Sequence, residues 1–185
     1  MEWRLLATLD ADDRRAVLVA CTRRKFRKGD TVFHAGDPGD TLHLIVSGHA
    51  AVRVSTPLGD VVTLTVLGPG ESFGELALVG ATPVRSASIV AQDPLETMAL
   101  HRRDFDELCR SHPSARELLV EVLVEQVRRL SGQVLDALYV PADKRVIRRL
   151  RDLAELYRGD ATTVSVPVTQ EDLASMAGTT RPTAN

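Results

Sequence analysis

Residues 28–54 read KGDTVFHAGDPGDTLHLIVSGHAAVRV. Short β-rich runs (TVFHA, TLHLIVSG, AAVRV) are separated by KGD and AGDPGD, where glycine admits positive φ and aspartate can bond its own backbone. The pattern continues with VVTLTV at 61–66, RSASIVA at 85–91 and ETMALH at 96–101, with PLGD and GPGE at the corners. Short strands at such regular spacing predict an antiparallel sandwich or barrel, most simply a jelly roll. Nothing alternates strand with helix, so a doubly wound nucleotide-binding layout is excluded.

On either side of this block the apolar period lengthens to that of a helix. Residues 1–21 place Leu5, Leu6, Leu9, Val17, Leu18 and Cys21 at helical steps around an acidic break. Further on, 114–138 carries Val120, Leu123, Val127, Leu130, Val134 and Ala137, a heptad seam. The seam fits either a helix packed on its own sandwich or one paired with a second copy. We favour the parallel homodimer through 114–138, and the off-seam Leu119, Val122 and Val124 allow both uses. Gly132 weakens the helix by about 1 kcal/mol against alanine. Pro141 ends it. The run 143–157 then forms an amphipathic helix with Val146, Leu150, Leu153 and Leu156 inward, while Lys144, Arg145, Arg148, Arg149 and Arg151 crowd its first half.

The chain closes with TQEDLASMAGTTRPTAN, residues 169–185. Thr169 and Asp172 have capping-box spacing before an apolar run, with Leu173, Met176 and Ala177 facing inward. Gly178 can turn the chain, and Thr180 can cap a second helix with Arg181 and Pro182 in its first turn. Helix, glycine turn, helix is the pattern of a DNA-binding helix-turn-helix. Only a turn and a half of the second helix is present, so we expect a form cut within a winged helix-turn-helix and lacking sequence-specific DNA binding.

The wider composition sets bounds. Apolar residues make up 44% and charged residues 26%, with a formal charge of −2, as in an ordinary globular protein without a general polyanion-binding coat. The N-terminus lacks a signal peptide's order and no apolar run reaches a membrane span, so a cytoplasmic location with no membrane partner is expected. Cys21 and Cys109 stand apart and read as free thiols. His34, His43 and His49 raise a cupin-type metalloenzyme, but they lack the paired spacing such a site needs. No catalytic triad, P-loop or carboxylate pair is visible, so no enzyme is expected.

The chemistry concentrates in GESFGELALVGATPVRSASIV, residues 70–90. Arg85 lies among small residues in a strand-like run, and a buried guanidinium is costly unless something anionic meets it. Glu75 is the nearby acid, and a small anionic ligand is the other candidate.

Taken in order, KGDTVFHAGDPGDTLHLIVSGHAAVRV, GPGESFGELAL, RSASIVAQD and QEDLASMAGTTRPT resemble the cAMP receptor protein/FNR (CRP/FNR) superfamily of bacterial transcription regulators. The resemblance implies an α+β chain: a cyclic-nucleotide-binding jelly roll at 1–110, a long dimerisation helix at 111–139 and a helix-turn-helix at 140–185. It implies that Gly74, Glu75, Leu76, Ala77, Arg85 and Ser86 hold the ribose and phosphate of cAMP or another cyclic nucleotide. Leu130 and Ser131 stand where cAMP-responsive members carry a polar pair for adenine, so the preferred base is open. Thr169, Thr180, Arg181 and Thr183 would serve DNA, with Pro182 departing from a common glutamate. The arginines of 144–151 would serve phosphate contact or the domain interface. Operator DNA is the implied partner in the full-length protein, RNA polymerase a further one. No metal or haem is expected, and the cysteines of an iron–sulfur branch are missing. Against this reading stand the same family acting without ligand or on another effector, and a cyclic-nucleotide module of a channel or kinase.

Overall fold

The computed structural model describes the chain except residues 1, 2, 4, 5, 8, 57, 58, 79–83, 114, 159–162 and 181–185, and the side chains of 77, 115, 116, 118, 119, 122 and 125. Among the described residues eight strands form two antiparallel four-stranded sheets. The first is ordered β1 (Thr22–Phe26), β8 (Leu95–His101), β3 (Thr41–Ser47), β6 (Ser72–Phe73). The second is ordered β2 (Thr31–Phe33), β7 (Ser88–Ala91), β4 (Ala50–Ser55), β5 (Val61–Leu67).

Strand β3 explains why TLHLIVS is a nearly continuous apolar run. Its two faces are both covered, a situation that removes the usual polar alternation. Leu42 and Leu44 join Leu100, Phe105, Leu108, Leu6, Leu9 and Val17 in a core under α1 (Ala11–Ala20) and α2 (Arg102–Ser111). Ile45 packs between the sheets with Ala50, Leu67, Phe73, Ile89, Ala91 and Leu95. The expected helix over 1–21 begins only at Ala11, because Asp10 is its N-cap and accepts from the Asp13 N–H at 2.8 Å. Leu6 and Leu9 precede that cap and still reach the core. Strand β1, TRRKF, was not expected. Its four leading residues are exposed, so it offers no apolar alternation and is held by its ladder to β8 and by Arg23 and Lys25 on Glu96.

After the sandwich come α3 (Ala115–Tyr139), α4 (Ala142–Arg158) and α5 (Gln170–Met176). A third core unites Val146, Leu153, Leu173, Met176 and Ala177 with Val66 of β5, so α4 and α5 pack on the second sheet. Leu156 joins this core as expected. Leu150 does not: it is 47% exposed, because Val146, Leu153 and Leu156 already define the buried stripe. The seam residues Val120, Val127 and Val134 are exposed on the single chain.

A β-bulge lets one strand serve two purposes. Val52 pairs with Thr65 but Arg53 pairs with Thr63, which leaves Leu64 without an opposite residue. The extra residue resets the in–out alternation. Thr63 and Val66 therefore meet α5, where Thr63 Oγ1 donates to Asp172 Oδ1 at 2.6 Å. Leu64, Thr65 and Leu67 line a cavity. At the end of β5, Gly68 admits Leu156: a Cβ there would lie 2.5 Å from Leu156 Cδ1.

Candidate functional site: a cavity between the sandwich and the long helix

The cavity holds about 330 Å³ and is bounded by the second sheet, the turn that follows β6, the start of the RSA run and one face of α3. That volume lies near the lower end for small-molecule sites. Gly74, Glu75, Leu76, Arg85, Ser86 and Leu130 all line it. Ser131 does not: it is exposed, and one residue along a helix turns the side chain away from the face that Leu130 presents. The side chain of Ala77 lies outside the described residues. Glu75 opens a short 3-10 turn ending at Leu78, whose side chain anchors it in the core under α1 and α2.

Arg85 is 7% exposed. Its Nη1 donates to the Thr41 carbonyl at 2.8 Å, with a longer 3.4 Å contact to the Gly74 carbonyl. The guanidinium carbon sits 3.9 Å above the Phe33 ring centroid, a cation–π stack. Of the two partners the sequence leaves open, Glu75 makes no ion pair with Arg85 among the described contacts. The nearest carboxylate oxygen is Asp40 Oδ1 at 3.9 Å from Nη2, and Nε is buried without a partner among the described residues. Burial pulls the Arg85 pKa below its ordinary value, and Asp40, Asp37 and Glu75 oppose that. The cation is thus partly desolvated and only partly compensated.

The surrounding backbone is built for this placement. Gly74 has φ +79°, and a Cβ there would meet Arg85 Nη1 at 2.6 Å and the Thr41 carbonyl at 2.8 Å. Glycine satisfies both conditions. The Arg85 N–H donates to the Asp37 carbonyl and its carbonyl accepts from Gly36 N–H, which clamps the arginine to the AGDPGD turn. Asp40 itself lies below its ordinary pKa, first through the Thr41 hydroxyl bond and then through His101 and Arg85.

Three groups on α3 escaped the sequence reading. Gln126, Arg129 and Gln133 join Leu130 on the cavity wall. Their spacing of three and four marks a single helix face, but which face meets the sandwich is set by packing that the sequence does not display.

The helix-turn-helix elements are locally secure. Thr169 and Asp172 form the expected capping box, and Gly178 turns at φ +61°. Thr180 is exposed, while Arg181 and Thr183 lie outside the described residues. The basic run of α4 is largely committed within the protein. Arg145 donates to the carbonyls of Ala177 at 2.7 Å, Gly178 at 3.0 Å and Val140 at 2.7 Å, and Arg149 donates to that of Met176. The carbonyls of Met176, Ala177 and Gly178 lie at the end of α5 and that of Val140 just past α3, helix ends where cations are favoured. Arg148 pairs with Asp136 of α3 at 2.8 Å and Arg151 with Glu155.

The three histidines sit apart from one another. His43 stacks on Phe73 in the core, His49 bonds Asp93 at 2.6 Å, and His34 is exposed. Among the described residues no group of three His, Cys, Asp or Glu could hold a metal ion. Among the described residues, too, no helix is long and apolar enough to cross a membrane. Cys21 is a free thiol, and burial, then Asp104, pushes it up to about 12, leaving it unreactive.

Comparison with known proteins places these features. Residues 23–112 match the cyclic nucleotide-binding domain and 144–185 the Crp-like helix-turn-helix domain. The CRP-like cAMP-activated global transcriptional regulator of Mycobacterium tuberculosis is 31% identical over 163 residues, 86% of this chain and 72% of that protein. The catabolite activator protein of Thermus thermophilus superposes with a TM-score of 0.65 at 31% identity, covering 97% of this chain and 82% of that one. The c-di-GMP-responsive regulator CLP of Xanthomonas campestris shares the fold, with a TM-score of 0.74 at 23% identity over 95% and 88% of the two chains. The chain therefore belongs to the CRP-like family of transcription regulators, pairing a cyclic nucleotide-binding jelly roll with a Crp-like helix-turn-helix.

Proposed function

We propose that this regulator is controlled by a cyclic nucleotide bound in the cavity between the sandwich and α3. The observation that carries the reading is Arg85: among the described residues it is a buried cation with an unpartnered Nε and its nearest carboxylate oxygen 3.9 Å away, on the wall of a cavity of about 330 Å³. A cyclic phosphate would supply the anion that Asp40 supplies poorly, and the planar guanidinium can fork onto two of its oxygens. Ser86 adds a hydroxyl donor. Glu75 accepts from the ribose 2′-hydroxyl, and Gly74 leaves room for the backbone beside Arg85. The cAMP-activated description of the Mycobacterium tuberculosis relative supports the same ligand class.

The exposed seam of α3 supports a homodimer. Val120, Leu123, Val127, Leu130 and Val134 leave 37–62% of their surface open on one chain, and a second copy would cover the stripe. Because α3 also walls the cavity, filling the site biases how the two helices meet. Strand β5, which touches both cavity and α5, carries the same bias to the DNA-binding elements as a shift of population between two placements.

Calorimetric titration with cAMP and cGMP tests the reading. Micromolar binding to at least one nucleotide, lost in Arg85→Ala, is expected, with the protein sedimenting as a dimer. Absence of heat with both nucleotides would refute nucleotide control, and a monomer at micromolar concentration would refute the dimer.

A further inference from the structure

The α3 wall of the cavity is rich in donors, and this bears on which base a nucleotide bound there would carry. From α3, Gln126, Arg129, Leu130 and Gln133 meet the cavity. Leu130 offers no hydrogen bond. Arg129 Nη2 donates to Gln126 Oε1, one helical step of three away, so Gln126 spends its acceptor oxygen on orienting the guanidinium. Among the described residues this is the one hydrogen bond of Arg129, which leaves further N–H donors on the cavity wall.

Arginine carries five donors and no acceptor. The outward edge of guanine presents two acceptors, N7 and O6, whereas adenine presents N7 beside an N6 amino donor. A guanidinium can fork onto the guanine pair, but it meets the adenine amino group donor to donor. A glutamine amide would suit adenine, giving a hydrogen bond to N7 and accepting one from N6. Gln126 has placed one lone pair of that oxygen on Arg129, so Gln133 is the amide on this wall with no hydrogen bond among the described residues and the one better free to serve adenine.

We infer that Arg129, held by Gln126, is the base-reading residue of this cavity and selects a guanine-type cyclic nucleotide over its adenine counterpart. The inference rests on the cyclic-nucleotide reading above. The volume of about 330 Å³ suits a mononucleotide.

The test titrates the 185-residue protein with cGMP and cAMP separately, in wild type, Arg129→Ala, Arg129→Lys, Gln133→Ala and Arg85→Ala. Arg129 is exposed on the helix, so its variants should fold, and unchanged circular dichroism checks this. Wild type should bind cGMP about ten-fold tighter than cAMP. Arg129→Ala should remove that preference by weakening cGMP alone, and Arg129→Lys, which cannot fork, should not restore it. Gln133→Ala should leave the preference in place. Equal or tighter cAMP binding by wild type would overturn the inference, as would a preference unchanged in Arg129→Ala. If binding is lost in Arg85→Ala while the two bases are not told apart, the base assignment alone fails. If neither nucleotide binds wild type, the underlying reading fails with it.

Discussion

His43 lies in the sandwich core behind the cavity, 6% exposed, with Nδ1 3.0 Å from Thr97 Oγ1 and its ring stacked on Phe73 at 4.9 Å. It also touches Phe33, the ring that carries Arg85. Burial first, then Arg85 and Arg24, lowers its pKa to about 3, against a smaller opposing effect of Asp40. The folded value is below the unfolded one, so between about pH 6.5 and 3 the unfolded chain binds a proton that the folded chain does not. Stability is therefore full above that window and declines as pH falls through it, by up to about 1.4 kcal/mol per pH unit. Asp40 and Asp172 are also shifted down, but their contribution is lost only below the ordinary carboxylate range. Urea unfolding at pH 6, 5 and 4 should show the decline, and His43→Phe should flatten it; an unchanged slope would remove His43 as its source. At this scale the sequence revealed Arg85 through its placement among small residues, and Glu75 as the acid near it and through the family resemblance. It hid Phe33 and Asp40, which reach Arg85 only because the AGDPGD turn folds back onto it. It hid Arg129 because helix periodicity names a face without saying what the face meets.

Strand β5 is the element that joins the two halves of the molecule. Burial pushes the Asp172 carboxyl up, yet the bonds from Thr63 and Thr169 and the charge of Arg53 outweigh it, so the group stays ionised. One of its oxygens serves the α5 capping box and the other accepts from Thr63. A hydrogen bond to a charged acceptor contributes roughly 1.5 kcal/mol or more. Thr63→Val keeps the shape and removes the donor. It should speed amide exchange in α5 several-fold while leaving β3 and β8 protected; unchanged α5 protection would show that the apolar contacts with Val66 hold α5 alone. The strands with alternating or wholly apolar runs, β3, β4, β5 and β8, were legible from their residues and turns. The charged edge strand β1 was not, since its fold is decided by a partner 70 or so residues away. The bulge at Leu64 was not legible either, because one unpaired residue leaves no mark on composition.

At the scale of the molecule, the cavity wall on α3 and β5 and the helices α4 and α5 are linked by direct contacts. Arg148 on Asp136 braces α4 against α3, and His49 stacks on Tyr157 at 3.8 Å where α4 meets the sandwich. The Tyr157 hydroxyl is pushed up to about 12 by burial, then by Asp93, and stays neutral there. On the proposed reading, a change at the cavity wall has two routes to α4 and α5, one through α3 and its Arg148–Asp136 pair and one through β5. The central claim is that a nucleotide on Arg85 moves α5. Hydrogen–deuterium exchange with and without saturating cyclic nucleotide tests it most directly. The account predicts slower exchange in β5 and altered exchange in α5, both abolished by Arg85→Ala. Protection confined to the cavity, with α5 unchanged, would contradict it.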